Sequence, residues 1–178
     1  KNLIDEIKKQ KINDSNLFFS LAKNIVGESS NSKISKISNY LKKIKSDFLF
    51  ISAPENVAWI LNIRGMDVPN SPIPNSRLII NKNKKILLIC KIKKCKNLIK
   101  DNIIKFNEII DQKEFKNIIL NLKGKKFIID NKSCSIFYED LKKSKFKIIK
   151  KEDPTYQLKS IKNQTEINHM IKSHILDG

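Results

Sequence analysis

Residues 126–149 read KFIIDNKSCSIFYEDLKKSKFKII. A short apolar run, Lys126 to Ile129, passes into helical spacing from Lys132 to Lys143 and returns to a second apolar run, Phe146 to Ile149. Runs of four with aromatic and β-branched residues fit buried strands, and the piece between them is long enough for a helix. The same alternation extends upstream, with a helix expected near Lys93 to Lys100, a strand near Ile103 to Phe106 and a helix from Asp111 to Leu122. Ser76 to Ile80 and Lys85 to Cys90 flank the polar tetrad Asn81-Lys82-Asn83-Lys84, which reads as a hairpin. Helices alternating with strands, plus one hairpin, predict an α/β fold: a mixed sheet with helices on both faces.

Nearer the start, Ile34, Ile37, Leu41 and Ile44 recur at steps of three and four and predict a helix, which feeds the apolar strand Phe48-Leu49-Phe50-Ile51. Ser52 with Glu55 three residues on is a capping-box pattern, so a second helix should begin near Pro54, carry Val57, Trp59, Ile60 and Leu61, and end at Gly65. Residues 62–75 hold Gly65, Pro69, Pro72 and Pro74 and read as an ordered loop. Asp153-Pro154, and Asn163 with Glu166, mark two further helix starts. Residues 1–26 read as the tail of an upstream unit plus a linker, and the main domain is expected over 27–152. The final helix, with Ile167, Met170, Ile171 and Ile175, reads as one still needing something to pack against, so the chain is expected to be a piece of a longer protein.

With 178 residues there is material for one ordinary core. The net charge of +18 would place nucleic acid first among partners, yet of 36 basic residues only Arg64 and Arg77 are arginine, and base-edge recognition leans on the arginine fork. Lysine is spread along the sequence, and the accompanying Ile and Asn point to an A- and T-rich coding sequence. No specific nucleic-acid partner is expected; lysine-driven binding would be non-specific. Cys90, Cys95 and Cys134 offer no zinc spacing or disulfide framework and are expected as reduced thiols. No apolar run approaches the roughly 20 residues of a membrane span.

Candidate chemistry is sparse. The two histidines, His169 and His174, are five apart and fall on different faces of a helix, so they are poor co-ligands. Walker, nucleophile-elbow and H-E-x-x-H patterns are all missing from the sequence. Asp130 follows a strand but reads most simply as the N-cap of the next helix. What remains is the proline-stiffened loop: Trp59, Arg64 and Asp67 suit the holding of a peptide's carboxylate or backbone. The plainer alternative is a core tryptophan and a local ion pair.

Several strings resemble the Xaa-Pro aminopeptidases of the creatinase and prolidase superfamily. Trp59-Ile60-Leu61-Asn62-Ile63-Arg64-Gly65-Met66-Asp67 resembles that family's Trp-Leu-x-Asn-x-Arg-Gly-x-Asp signature. Leu3-Ile4-Asp5-Glu6-Ile7 resembles the end of its first domain, and Gly27-Glu28-Ser29 the entry to its second. Leu158-Lys159 to Lys162-Asn163, then Glu166, Met170, His174 and Asp177-Gly178, resembles the first helix of its pita-bread catalytic domain, which places 153–178 at the start of that unit. The resemblance implies a creatinase N-terminal-like fold serving as a non-catalytic middle segment, without catalytic or metal-binding residues of its own. It implies that Trp59, Arg64 and Asp67 bound a cleft for peptides with proline at position two, with Asp67 orienting Arg64. It also implies two divalent metal ions, usually manganese, in the catalytic domain, a cytoplasmic setting and a homodimer. A second implication, of another class, is a peptide- or protein-binding pseudoenzyme like the related fold of a histone chaperone.

Overall fold

The structure, a computed structural model, describes residues 16–178; the Leu3–Ile7 string and most of the 1–26 segment lie outside the described residues. Strand β1 (Phe19–Ser20) and the short helix α1 (Lys23–Val26) lead into α2 (Ser30–Lys43), β2 (Phe48–Ile51), α3 (Pro54–Leu61) and β3 (Ile63–Arg64). Strands β4 (Arg77–Asn81) and β5 (Ile86–Ile89), helix α4 (Lys96–Lys100), β6 (Ile109–Ile110), α5 (Phe115–Asn121) and β7 (Lys126–Ile129) follow. The chain continues with α6 (Ile136–Lys143), β8 (Lys147–Lys150), α7 (Pro154–Ser160) and α8 (Gln164–Asp177).

Six strands form one mixed sheet in the order β6-β5-β4-β2-β7-β8, and β1 pairs separately with β3. The β2–β4 and β4–β5 pairs are antiparallel, while β2–β7, β7–β8 and β5–β6 are parallel. Strand side chains alternate between faces, and here both faces are apolar. Leu49, Ile51, Leu78, Ile80 and Ile128 join Ile34, Ile37, Leu41, Val57 and Ile60 of α2 and α3 in one core. Phe48, Phe50, Ile79, Phe127 and Ile129 join Phe115 and Ile119 of α5, Tyr138 of α6 and Phe146 in the other. The predicted layer of helices on both sides of a mixed sheet is therefore the fold.

Several local expectations differ. The strand expected at Ile103–Phe106 is instead Ile109–Ile110, because the Ile103 and Ile104 amides both donate to the Leu98 carbonyl, at 2.9 and 3.3 Å, and close the end of α4. Ser52 does not cap α3: Ala53 occupies that position without a side-chain bond, and the Ser52 hydroxyl pairs with Ser133 at 2.7 Å. Helix α3 ends at Leu61 rather than at Gly65, since Asn62 adopts the left-handed conformation with φ 54. Gly65 answers a different need, as a Cβ there would lie 2.8 Å from the Phe18 ring and 2.9 Å from Pro74 Cα. Asp130 caps a turn rather than a helix, accepting from the Lys132 amide at 2.9 Å, and α6 begins only at Ile136. The helix starts at Asp153-Pro154 and at Asn163/Glu166 fall as predicted, the latter as a full capping box.

Candidate functional site

The loop after β3 is tied down through its one acid, which is bonded both within the loop and to Lys94 beyond it. Asp67 accepts the Asn75 amide at 2.7 Å and forms an ion pair with Lys94, both side chains being only 5% exposed. The expected Arg64–Asp67 pairing is not what the fold builds. Arg64 Nη1 donates to the Ile63 carbonyl at 2.9 Å and to the Ala58 carbonyl at 3.3 Å, which ties the guanidinium to the end of α3. Half-burial pulls the Arg64 pKa below its ordinary value. Arg64 and Trp59 border the same shallow depression of about 210 Å³, shared with Glu55, Pro72 and Lys159. Asp67 is not among its lining residues; it acts on the loop from behind.

Trp59 also faces a wider groove of about 660 Å³ lined by Ile25, Tyr156, Lys159, Met170 and His174. Its indole N–H donates to Glu166 at 3.3 Å, so the tryptophan bridges α3 to the first turn of α8. Behind it lies Lys33, 1% exposed, whose ammonium donates to the Trp59 carbonyl at 2.9 Å and to Asn62 Oδ1 at 2.7 Å and sits 4.0 Å from the indole centroid. Burial lowers the Lys33 pKa to about 8, partly offset by Glu166 and Glu28. Asn62 in turn donates to the Glu28 carbonyl at 2.8 Å, and Asn163 to the Val26 carbonyl at 2.9 Å. Gly27, with φ 71, passes so close that a Cβ would lie 2.3 Å from Asn163 Oδ1.

A second tie joins α3 to α7. Asn56 donates to Asp153 at 2.8 Å and accepts from Lys159 at 2.8 Å, and Asp130 accepts the Asp153 amide at 3.1 Å. Burial pushes the Asp153 carboxyl up, against hydrogen bonds from Thr155 and Asn56. Lys33, Asn56, Asn62 and Lys94 carry this architecture, and of these only Asn62, inside the Trp59–Asp67 string, was singled out in the sequence. Lys33 had a signal: it lies four residues before Ile37, on the buried row of α2. Lys94 had none, because its partner is 27 residues away.

The strings that build this site have counterparts among known proteins. Residues 9–166 match the Creatinase/Prolidase N-terminal domain family, and the chain belongs to that family. It is 28% identical over 186 residues to Xaa-Pro aminopeptidase 1 of Dictyostelium discoideum, covering 99% of this chain and 29% of that protein. The fold is similar to that of X-prolyl aminopeptidase from Caenorhabditis elegans, a cytosolic enzyme with a di-nuclear active site, with TM-score 0.78 and 19% identity over 98% of this chain and 29% of that one. It is also similar to an aminopeptidase P structure from Streptococcus thermophilus, with TM-score 0.54 and 16% identity, covering 73% of this chain and 98% of that one. The chain spans under a third of the length of the curated relatives it matches.

Among the described residues no three His, Cys, Asp or Glu side chains converge to hold a metal ion, so a two-metal centre does not fit on them. None of the described helices is long and apolar enough to cross a membrane. Cys90 and Cys95 are free, buried and 3.3 Å apart at sulfur; their mutual contact and burial push the Cys90 thiol up.

Proposed function

We propose that this chain is the non-catalytic middle segment of a metal-dependent Xaa-Pro aminopeptidase, a cytoplasmic enzyme that removes the first residue from peptides with proline second. Residues 27–152 form the creatinase N-terminal-like unit, 1–26 the approach from a preceding one, and 153–178 the first helices of the catalytic unit. Two divalent ions, manganese by family resemblance, would supply the activated water there and would be held by residues other than those described. Trp59 and Arg64 bound the substrate cleft, at a homodimer's shared face in the complete protein, and Asp67 fixes the loop that carries Arg64.

The observation that carries this reading is the pairing of Trp59 with Glu166, which fixes the tryptophan–arginine depression to the helix expected to open the catalytic unit. An arginine already tied to backbone carbonyls and half-desolvated is pre-oriented for a carboxylate or peptide carbonyl. The test is manganese-dependent release of the first residue from an Xaa-Pro-Xaa peptide by the complete protein, with Arg64→Ala beside it. The expected result is a fall in kcat/KM of about tenfold or more, the equivalent of one charge-assisted hydrogen bond. Unchanged kinetics in a folded variant would remove Arg64 from the cleft. A complete protein that binds such peptides without cleaving them would instead be a pseudoenzyme binding module.

A further inference from the structure

The fold sorts charge in a way the linear sequence conceals. Strands β2, β7 and β8 are parallel and begin at one edge of the sheet, where antiparallel β4 ends. Phe48 is in register with both Asn81 and Phe127, and Phe127 with Ile148. The segments entering and leaving these strands therefore lie side by side in a row about 15 Å long, at about 4.8 Å per strand. The approach to β2 brings Lys45 to that row, and the β4–β5 turn brings Lys82, Lys84 and Lys85. The approaches to β7 and β8 add Lys123, Lys125 and Lys145, and β8 opens on Lys147; all of these are exposed.

One acid, Asp47, lies among these segments, and it is already engaged. Its carboxylate accepts Lys82 Nζ at 2.8 Å and the Lys125 and Lys126 amides at 2.8 and 3.1 Å. Glu108, turned onto the Lys105 amide at 2.9 Å, bounds the row on the β6 side. At the opposite edge Asp67, Asp111, Asp130, Glu152 and Asp153 stand among a comparable number of basic residues, Arg64, Lys91, Lys93, Lys94, Lys150 and Lys151 included, so what sets the first edge apart is its scarcity of acids. Coding bias toward lysine would load both edges alike and would not remove acids from one. Local causes account for some neighbours: Lys42 and Lys43 complement the C-terminus of α2, and Lys145 donates to the Leu120 carbonyl. Lys84, Lys85, Lys125 and Lys147 have no ion-pair partner among the described residues.

We propose that this sheet edge, from the β4–β5 turn across to β8, binds the phosphate backbone of nucleic acid without reading its sequence. The cations are lysines, point charges suited to phosphate, while both arginines lie outside the row. None of the exposed large apolar side chains lies within these segments, although exposed Leu120 stands beside Lys145, so the edge offers charge with little apolar surface to enter a bilayer. The inference is independent of the peptidase reading, which concerns the opposite end of the sheet.

The experiment follows anisotropy of a labelled single-stranded oligonucleotide from about 50 to about 200 mM salt. It compares the chain with Lys84→Glu/Lys85→Glu/Lys125→Glu/Lys147→Glu and with Lys113→Glu/Lys116→Glu/Lys162→Glu/Lys172→Glu, a control set that is also exposed and carries the same net charge. The expected result is steep salt dependence in the chain and the control. The edge variant should bind at least about tenfold more weakly, with a slope shallower by about 3, since each phosphate no longer neutralised removes about 0.7 from it. The Lys→Gln set at the four edge positions, which leaves every backbone hydrogen bond in place, must fall between. No binding, equal weakening by both Glu sets, or a Gln set as tight as the chain would overturn the proposal. Retention by phosphatidylserine vesicles without oligonucleotide binding would overturn it in favour of a membrane surface.

Discussion

Replacing Lys142 by Met should stabilise this chain. Lys142 is 0% exposed, and its ammonium donates to the Tyr138 carbonyl one helical turn back at 2.8 Å. Aromatic rings surround it, Phe50 at 3.5 Å from its centroid, Phe115 at 5.3 Å, Tyr138 at 5.4 Å and Phe127 at 5.7 Å. Burial pushes its pKa from 10.5 down to about 7, with Cys134 and Glu139 resisting. Each pH unit between those values is worth about 1.4 kcal/mol, so keeping the cation inside costs about 5 kcal/mol. Phe50 at close range returns about 2 kcal/mol and the three farther rings together about 0–2, which leaves a net cost of about 1–3 kcal/mol. Methionine fills similar volume without charge, and the Tyr138 carbonyl keeps its place in the helix. The expected gain is therefore about 1–3 kcal/mol below pH 7, at about 2–4 °C in Tm for each.

The pH dependence supplies an independent check. In the unfolded chain Lys142 holds its proton up to its ordinary value, whereas in the folded chain it releases it near 7. Between those values the unfolded state binds more protons, so stability of the unsubstituted chain rises with pH. Its full penalty lies below pH 7, and the advantage of the Met variant should shrink toward pH 10. Urea unfolding at about pH 6 and about pH 9 reads both effects. A Met variant less stable by more than about 1 kcal/mol would refute the reasoning and make the ring cage a net source of stability. A gap of equal size at both pH values would refute the burial argument itself.

Lys94→Met should cost about 3–5 kcal/mol, because it leaves the Asp67 carboxylate enclosed without its cation. Adding Asp67→Asn should recover part of that loss in a double-mutant cycle, and additive effects would show that the pair does not hold the loop. Asn62→Gly keeps the left-handed backbone legal but removes the acceptor of Lys33 and the donor to Glu28. It should cost about 1–3 kcal/mol in urea unfolding, and a neutral result would show that water satisfies Lys33. Burial raises the Asp47 pKa, but Lys82 and the Lys125 and Lys126 amides outweigh it and hold the carboxyl at about 2 against an ordinary 3.8. That carboxylate contributes stability above 3.8 which is lost as pH falls through 2, so Asp47→Asn should flatten the acid-unfolding profile in that window; an unchanged slope would mean the hydrogen bonds are not formed in solution.

The layered fold was legible because both cores are written in short continuous apolar strands and period-three-to-four helices. Phe48 to Ile51, Lys126 to Ile129 and the Ile34–Leu41 stripe needed no distant partner to be recognised. The turn and helix-start chemistry was legible only where the bond is local. Asn163 and Glu166 cap each other within one turn and read correctly, at 3.0 and 2.9 Å. Ser52 and Asp130 looked like caps of the same kind, but the Ser52 hydroxyl goes to Ser133, 81 residues away, and Asp130 splits its carboxylate between a two-residue turn to the Lys132 amide and the Asp153 amide 23 residues away.

The sequence by itself determined the alternation of strands and helices, the family strings around Trp59 and Arg64, and the exposed apolar helix α8, since each depends on residues a few positions apart. Only the tertiary structure decided that Asp67 answers to Lys94 rather than Arg64, that Glu166 of α8 anchors Trp59 with Lys33 behind it, and that dispersed lysines share one sheet edge. Those outcomes depend on strand order and register. A crossover brings residues 26 to 107 positions apart within hydrogen-bond distance, and no spacing rule along the chain encodes which of them will meet.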